Sequence, residues 1–361
     1  MKMIVRRTVL AVCTLVLALI LPTAASAACT GFDDVPESAD CYESVIYLAK
    51  CEIAAGTGND CFSPEQLITV EQWAVMLCRA YGAETIGDSW QDVGRSSVVE
   101  AYRQGWLNET ALSAPRSPMC RSVLVESAFA AADIPVYDST LYEGGASLST
   151  ADNILRVGRE LGLCSDDTDT NALVTRGDAA IILHVVLTQS FRIEEPPVPV
   201  TLVNAAGVNV NDFLLELRKV PEQILDAFNA AGWTYCIDFD YMGGLSKKLN
   251  MSCIGATNYS RKTIYISEAS ATLHEFGHFL DWMLGFPAEH EQLFRAEAAA
   301  APLRNYAKTN AREYFADCFA YCIIHGNDSE MMKSLRKNAP QTCTYFEELG
   351  KDSWSRSIRS K

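Results

Sequence analysis

The chain has 361 residues, 49% of them hydrophobic and 21% charged, and carries a formal net charge of −15 at pH 7. That length predicts two or three domains, and the composition is that of a globular protein rather than a disordered one. The negative balance argues against a nucleic-acid partner and requires a local cationic pocket for any anionic ligand.

At the N-terminus, Lys2, Arg6 and Arg7 precede an apolar run from Val9 to Leu21, followed by Pro22 and Ala25-Ser26-Ala27. A positive region, an apolar core and a small-residue cleavage signal in that order predict an export leader at 1–27, cut after Ala27. The apolar run is short of the roughly 20 residues that span a bilayer, and no later segment is long enough, so no transmembrane anchor is expected. Of the thirteen cysteines, Cys13 falls in the leader and twelve remain. An even number in an exported chain predicts disulfides, with the connectivity open.

From 32 to 83 the chain follows a plan that recurs in eroded form. An aromatic-Asp-Val start leads into an amphipathic helix, then a Gly-containing loop, Phe-x-Pro, a Thr cap and a second apolar helix. The plan returns at about 90–135, from Trp90, and again at about 146–189, where Ile154 begins the first helix and Val174 leads into the second. No single helix-loop-helix unit can bury its own apolar face, so three of them predict one α-helical bundle over 28–190. These residues resemble the S-layer homology (SLH) repeats of bacterial surface proteins. The resemblance implies attachment to an anionic secondary cell-wall polymer through an arginine in a Thr-Arg-Ala-Glu cap. The third copy keeps that cap best, as Thr175-Arg176-Gly177-Asp178; the second has Cys120-Arg121-Ser122-Val123, and the first, Thr69-Val70-Glu71-Gln72, lacks the arginine. A cation at a helix N-terminus opposes the helix dipole, so Arg121 and Arg176 are read as polymer-binding residues sharing their site with an anion.

Glu194-Glu195-Pro196-Pro197-Val198-Pro199-Val200 breaks all periodicity and predicts a stiff spacer at 191–201. The domain expected at 202–361 opens with helical pattern at Asn211–Lys219 and Pro221–Ala231. Trp233–Phe239 reads as a strand, Met242-Gly243-Gly244 as a turn and Thr263–Ser267 as a second strand. A helix is expected at about 269–284 and others at 289–301, 309–325 and 340–349. The whole chain is therefore predicted mainly α, an N-terminal helical bundle followed by a small α+β domain with a short sheet.

The helix at 269–284 contains Leu273-His274-Glu275-Phe276-Gly277-His278. Side chains four apart share one helix face, so His274 and His278 can meet one metal while Glu275 reaches a water beside it. Gly277 leaves room for a close approach by backbone or substrate. Two of only five histidines fall here, whereas His184, His290 and His325 are isolated and read as core or surface residues. Catalytic zinc takes three protein ligands and keeps one position open. Glu313 is the best third ligand, and Asp317, one turn further on, can accept a hydrogen bond from a ligating histidine.

The HExxH stretch, then Asn305-Tyr306-Ala307-Lys308-Thr309-Asn310, Glu313–Cys322 and Lys337–Thr342, look like the catalytic domain of anthrax lethal factor and its small secreted relatives, the Pro-Pro endopeptidases. The resemblance covers about 220–350. It implies a zincin-type metallopeptidase with one Zn²⁺ held by His274, His278 and Glu313. Glu275 would be the general base, Tyr306 a donor to the oxyanion, and Asp317 the carboxylate behind the ligands. The strand Thr263, Ile264, Tyr265, Ile266 and Ser267 is expected to pair with an extended peptide substrate as an edge strand. Together these readings imply a secreted, wall-attached zinc endopeptidase, with proline-rich surface segments as one substrate class. A non-catalytic anchoring protein and an exported lethal-factor-like toxin are the alternatives.

Overall fold

In the computed structural model the described residues are 31–165 and 169–355, together with the backbone of a short strand, β1 (Lys2–Ile4). That strand apart, the leader reading at 1–27 lies outside the described residues. The chain divides into two compact units, Met1–Pro196 and Pro197–Lys361.

The first unit holds three pairs of helices. They are α1 (Tyr42–Lys50) with α2 (Val70–Tyr81), α3 (Trp90–Arg103) with α5 (Arg121–Ala131), and α6 (Thr150–Glu160) with α7 (Arg176–Thr188). A short α4 (Glu109–Ser113) lies inside the second pair, and β2 (Arg192–Glu194) runs antiparallel to β1. Thr69 caps α2 in a reciprocal box with Gln72, and the Thr175 side chain accepts from Asp178 N at the start of α7; such caps satisfy backbone donors that the helix leaves orphaned.

The lead-ins to the second helices close a ring. Ile68 N donates to Val174 O (2.9 Å), Val174 N to Met119 O (3.0 Å) and Met119 N to Ile68 O (3.0 Å). All three residues are buried. Each repeat thus satisfies the next one's backbone at a common axis, and each pools its apolar helix face in one core. A cross-repeat bond from Trp73 Nε1 to Ser127 Oγ (2.6 Å) ties that core together.

The expected disulfides are not found among the described residues. No disulfide joins two described residues, and Cys41, Cys61, Cys78, Cys120, Cys164, Cys236, Cys253, Cys318, Cys322 and Cys343 are free thiols. Cys78 and Cys318 are fully buried on helices, where a thiol packs as a small apolar side chain. An even count carries no information about that role.

The second unit is a four-stranded sheet in the order β3-β4-β6-β5, packed with helices. The strands are β3 (Leu202–Asn204), β4 (Thr234–Ile237), β5 (Gly255–Asn258) and β6 (Thr263–Ile266). The first three in that order are parallel, and β5 is antiparallel to β6. This corrects the reading of Thr263–Ser267 as an edge strand. β6 is flanked by β4 and β5, and its Ile264 and Ile266 are fully buried on one face of the sheet. The two edges of the sheet are β3 and β5 instead. The Pro-rich stretch is anchored at its far end, where Asn229 Nδ2 donates to Pro199 O (2.8 Å).

Helices α8 (Asn211–Leu217) and α9 (Glu222–Ala230) precede β4, and α10 (Phe239–Leu249) follows it. The turn expected at Met242-Gly243-Gly244 is thus helical. Asp238 accepts from Tyr241 N and caps α10 ahead of the glycines, and a cap of this kind, about 1 kcal/mol, offsets part of what the two glycines cost. The remaining helices are α11 (Thr272–Met283), α12 (Ala288–Glu297), α13 (Ala311–His325), α14 (Ser329–Asn338) and α15 (Pro340–Lys351). Phe228, Trp233, Phe276 and Phe279 form one aromatic cluster with ring centroids 5.0 to 5.9 Å apart across the contacts Phe228 makes. Each such pair adds about 0.5–1.5 kcal/mol beyond its area burial, so the cluster fixes α11 between α9 and the start of β4.

Candidate active site

Two local features bring the candidate ligands His274, His278 and Glu313 together. The first is Gly277: a Cβ there would lie 2.6 Å from Ala316 Cα and 2.8 Å from Ala316 O. Only glycine lets α11 and α13 approach so closely, and the backbone that occupies this space is Ala316. The second is Asn310, whose side chain accepts from Arg312 N and Glu313 N and so begins α13 where Glu313 faces α11.

With the helices at that separation, His274 Nε2 lies 3.1 Å from Glu313 Oε2 and 3.1 Å from His278 Nε2. His278 Nε2 is 3.3 Å from the same Glu313 oxygen. One donor atom from each residue falls within 4.8 Å of the others. Two imidazoles and a carboxylate converging on one point are the donor set of a catalytic zinc site. The cleft beside them, about 620 Å³, leaves space for the open position. The residues present fit the ion.

Behind the ligands, Asp317 Oδ1 lies 2.6 Å from His274 Nδ1. Nδ1 of His278 is buried and has no partner among the described residues. Glu275 is almost fully buried and uses none of its atoms in the ligand cluster. Its Oε2 accepts from Thr257 Oγ1 on β5 (2.7 Å), and its side chain fills the space a Cβ on Gly255 would need, at 2.6 Å. Tyr306, on a 3₁₀ turn at Asn305–Lys308, is 41% exposed, its ring 6.1 Å from that of His274.

Residues 238–349 match the family model described as anthrax toxin lethal factor, N- and C-terminal domain. Residues 31–72 match the S-layer homology domain. No curated protein matches the chain. The lethal-factor-like domain points to a zinc metallopeptidase family, and the SLH match to association with the cell surface. The SLH match falls on the first repeat, the one without a cap arginine. Among the described residues, no helix is long and apolar enough to cross a membrane.

Electrostatics in the lethal-factor-like domain follow from the same contacts. Burial opposes the charge of His274, yet its hydrogen bonds to Asp317 and Glu313 outweigh that and push it up to about 9. The two histidines hold Glu313 far below the usual carboxylate range against the opposing effect of burial. Burial and the neighbouring Glu313 charge push Tyr306 up to about 12, so its hydroxyl stays a donor. In the metal-free chain, a His274 raised above its unfolded value of 6.5 contributes stability that is fully present below that value. That stability is lost as pH rises through about 9. Thermal melts in chelator are therefore expected to show a falling Tm across this window, with the fall abolished in His274→Gln. A wild-type Tm that is level or rising there would contradict the assignment.

The structure also supplies partners that sequence reasoning missed. Thr257 and Gly255 had no signal beyond a small-residue run, and Arg304 stood out only as the residue before Asn305-Tyr306. His290, expected to be isolated, is buried between Asp281 Oδ1 (2.7 Å) and Tyr345 Oη (2.7 Å) and braces the far end of α11.

In the SLH unit, both cap arginines have protein partners. Arg176 is buried, donating from Nε to Phe62 O (2.9 Å) and from Nη2 to Ala55 O (3.1 Å), with its guanidinium 4.6 Å from the Phe62 ring. Arg121 pairs with Asp178 of the third repeat at 3.1 Å. An anion is therefore not needed to account for either cation. Arg176 nevertheless borders a hollow of about 490 Å³ shared with Gln66, Gln72, Arg79 and Trp90.

Proposed function

We propose that this chain is a secreted zinc metalloendopeptidase held at the cell wall by its SLH unit, cutting extended segments of surface proteins. The observation that carries the reading is the convergence of His274, His278 and Glu313 in a cleft with Glu275 beside them and outside the ligand set. When bound, zinc supplies Lewis-acid chemistry, acidifying water and polarising the scissile carbonyl. Glu275 takes the proton of the attacking water and returns it to the leaving amine. Thr257 holds the Glu275 carboxylate on the β5 side, away from the ligand atoms. Tyr306, kept protonated, donates to the oxyanion as it forms.

The substrate backbone is proposed to pair with β5, the edge strand that lines the cleft, rather than with Thr263–Ser267. Gly255, Ala256 and Thr257 of β5 line the same cleft as His274, His278, Tyr306 and Glu313. Leu245, Leu249 and Met251 add apolar surface to the cleft, which suits apolar or proline-containing segments. The Pro196-Pro197-Val198-Pro199 stretch of the chain itself is one candidate. In the SLH unit, the hollow beside Arg176, with Arg79 and Trp90, is the proposed seat of an anionic wall polymer.

The test is a peptide library enriched in proline, digested by the purified chain with one equivalent of zinc and read by mass spectrometry. Cleavage that chelator abolishes and zinc restores is expected. A zinc-loaded chain that cuts no peptide would overturn the enzymatic reading.

A further inference from the structure

We propose that Arg304 is a positioning residue that fixes the proton of His274 on Nδ1 and ties the Tyr306 turn to the same carboxylate. The inference rests on the zinc-site reading above and concerns a side chain outside the ligand set.

Arg304 grips Asp317 with both arms of its guanidinium. Nε donates to Oδ2 (2.7 Å) and Nη2 to Oδ1 (2.7 Å). A guanidinium can only donate, and a carboxylate held by such a fork is ionised and can only accept. Asp317 Oδ1 is also 2.6 Å from His274 Nδ1, so the hydrogen in that contact must come from the imidazole. The neutral ring then carries its proton on Nδ1 and leaves the Nε2 lone pair facing Glu313 and His278. The 3.2 Å approach of Arg304 Nη2 to Nδ1 is that of two donors sharing one oxygen. With Arg304 absent, the Asp317 carboxylate would lose the fork that holds Oδ1 against Nδ1.

The side chain of Arg304 is 55% exposed, so core packing does not explain its place. Its backbone carbonyl accepts from Ala307 N and opens the turn that carries Tyr306. Its guanidinium lies 5.3 Å from the Tyr306 ring centroid. One residue therefore joins the ligand histidine on α11, Asp317 on α13 and the oxyanion donor. His278, whose Nδ1 has no partner among the described residues, lacks an equivalent support, which makes His274 the oriented ligand.

The experiment uses the full-length chain as wild type, Arg304→Gln and Arg304→Lys. Zinc affinity is measured by competition with a chromophoric chelator. In Arg304→Gln it is expected to weaken about 10- to 100-fold, the usual effect of losing support behind a metal ligand. Arg304→Lys, with a charge but no fork, is expected to recover only part of it. In the same variants kcat is expected to fall with KM little changed, because the turn bearing Tyr306 loosens. Long-range ¹H–¹⁵N spectra of zinc-free wild type, above the pH at which His274 titrates, are expected to show the Nδ1–H form. The Nε2–H form there would overturn the proposal whether or not the variants fold, and so would wild-type zinc affinity in both variants. None of the binding or spectral readouts needs a cleaved peptide. A chain that shows them and cuts nothing would refute the peptidase reading while leaving the role of Arg304 standing.

Discussion

Glu275→Gln is expected to lower peptide-hydrolysis kcat by about 10²- to 10⁴-fold, the range for losing a positioned general base, while zinc content stays at one per chain. The separation of the two effects follows from the geometry. The ligand cluster draws only on His274, His278 and Glu313, so removing the Glu275 charge takes no donor atom from the ion. Gln keeps the volume that fills the space above Gly255, and its amide oxygen can still accept from Thr257 Oγ1. What it loses is the capacity to take a proton. The measurements are metal content by mass spectrometry and kcat on a peptide that the wild type cuts. Activity within a few-fold of wild type would remove Glu275 from the mechanism, and a zinc-free Glu275→Gln would place it among the ligands instead.

The residues of this site could be named from sequence because chemistry and periodicity coincide along two helices. His274 and His278 are one turn apart, as are Glu313 and Asp317, and a helix carries each pair on one face whatever else the fold does. What could not be read depends on how distant segments meet. The edge of the sheet is set by strand order, and Gly255-Ala256-Thr257-Asn258 has none of the β-branched run that announces a strand. Thr263–Ile266, which has it, reads as a strand from sequence, but its alternation of buried Ile264 and Ile266 with half-buried Thr263 and Tyr265 tells which face is covered, not which strands flank it. The three helix-loop-helix units are visible as a plan, but the hydrogen-bond ring through Ile68, Met119 and Val174 links residues that local pattern does not connect. The Asp317–Arg304 grip is of the same kind: Asp317 shows by its helical spacing, whereas Arg304 lies in an irregular segment with no period to reveal it. The cysteines misled for a different reason. Their number speaks to the compartment, while their use as buried apolar groups depends on packing.

Gly277→Ala is expected to damage the site as severely as a ligand substitution, although glycine touches no ligand. A methyl group at this position would meet backbone, not a side chain that could turn aside, because Ala316 Cα would be 2.6 Å away and Ala316 O 2.8 Å. The helices α11 and α13 must then part by enough to restore contact distance. Inserting one methylene-sized group into a packed core costs about 1–3 kcal/mol, so the domain is expected to fold with a lowered Tm. Catalysis and binding suffer more, since α11 carries His274 and His278 while α13 carries Glu313 and Asp317. Any separation lengthens both the 3.1 Å His274–Glu313 approach and the 2.6 Å His274–Asp317 hydrogen bond at once. A misplacement of about 1 Å at reacting groups can cost 10²-fold in rate. The comparison that isolates the effect is Gly243→Ala on α10, where an added Cβ meets nothing within 4 Å and a helix-favouring residue is expected to be neutral or mildly stabilising. If Gly277→Ala keeps wild-type zinc affinity and kcat, the two helices are not held at their separation by this contact, and the convergence of the ligands has another cause.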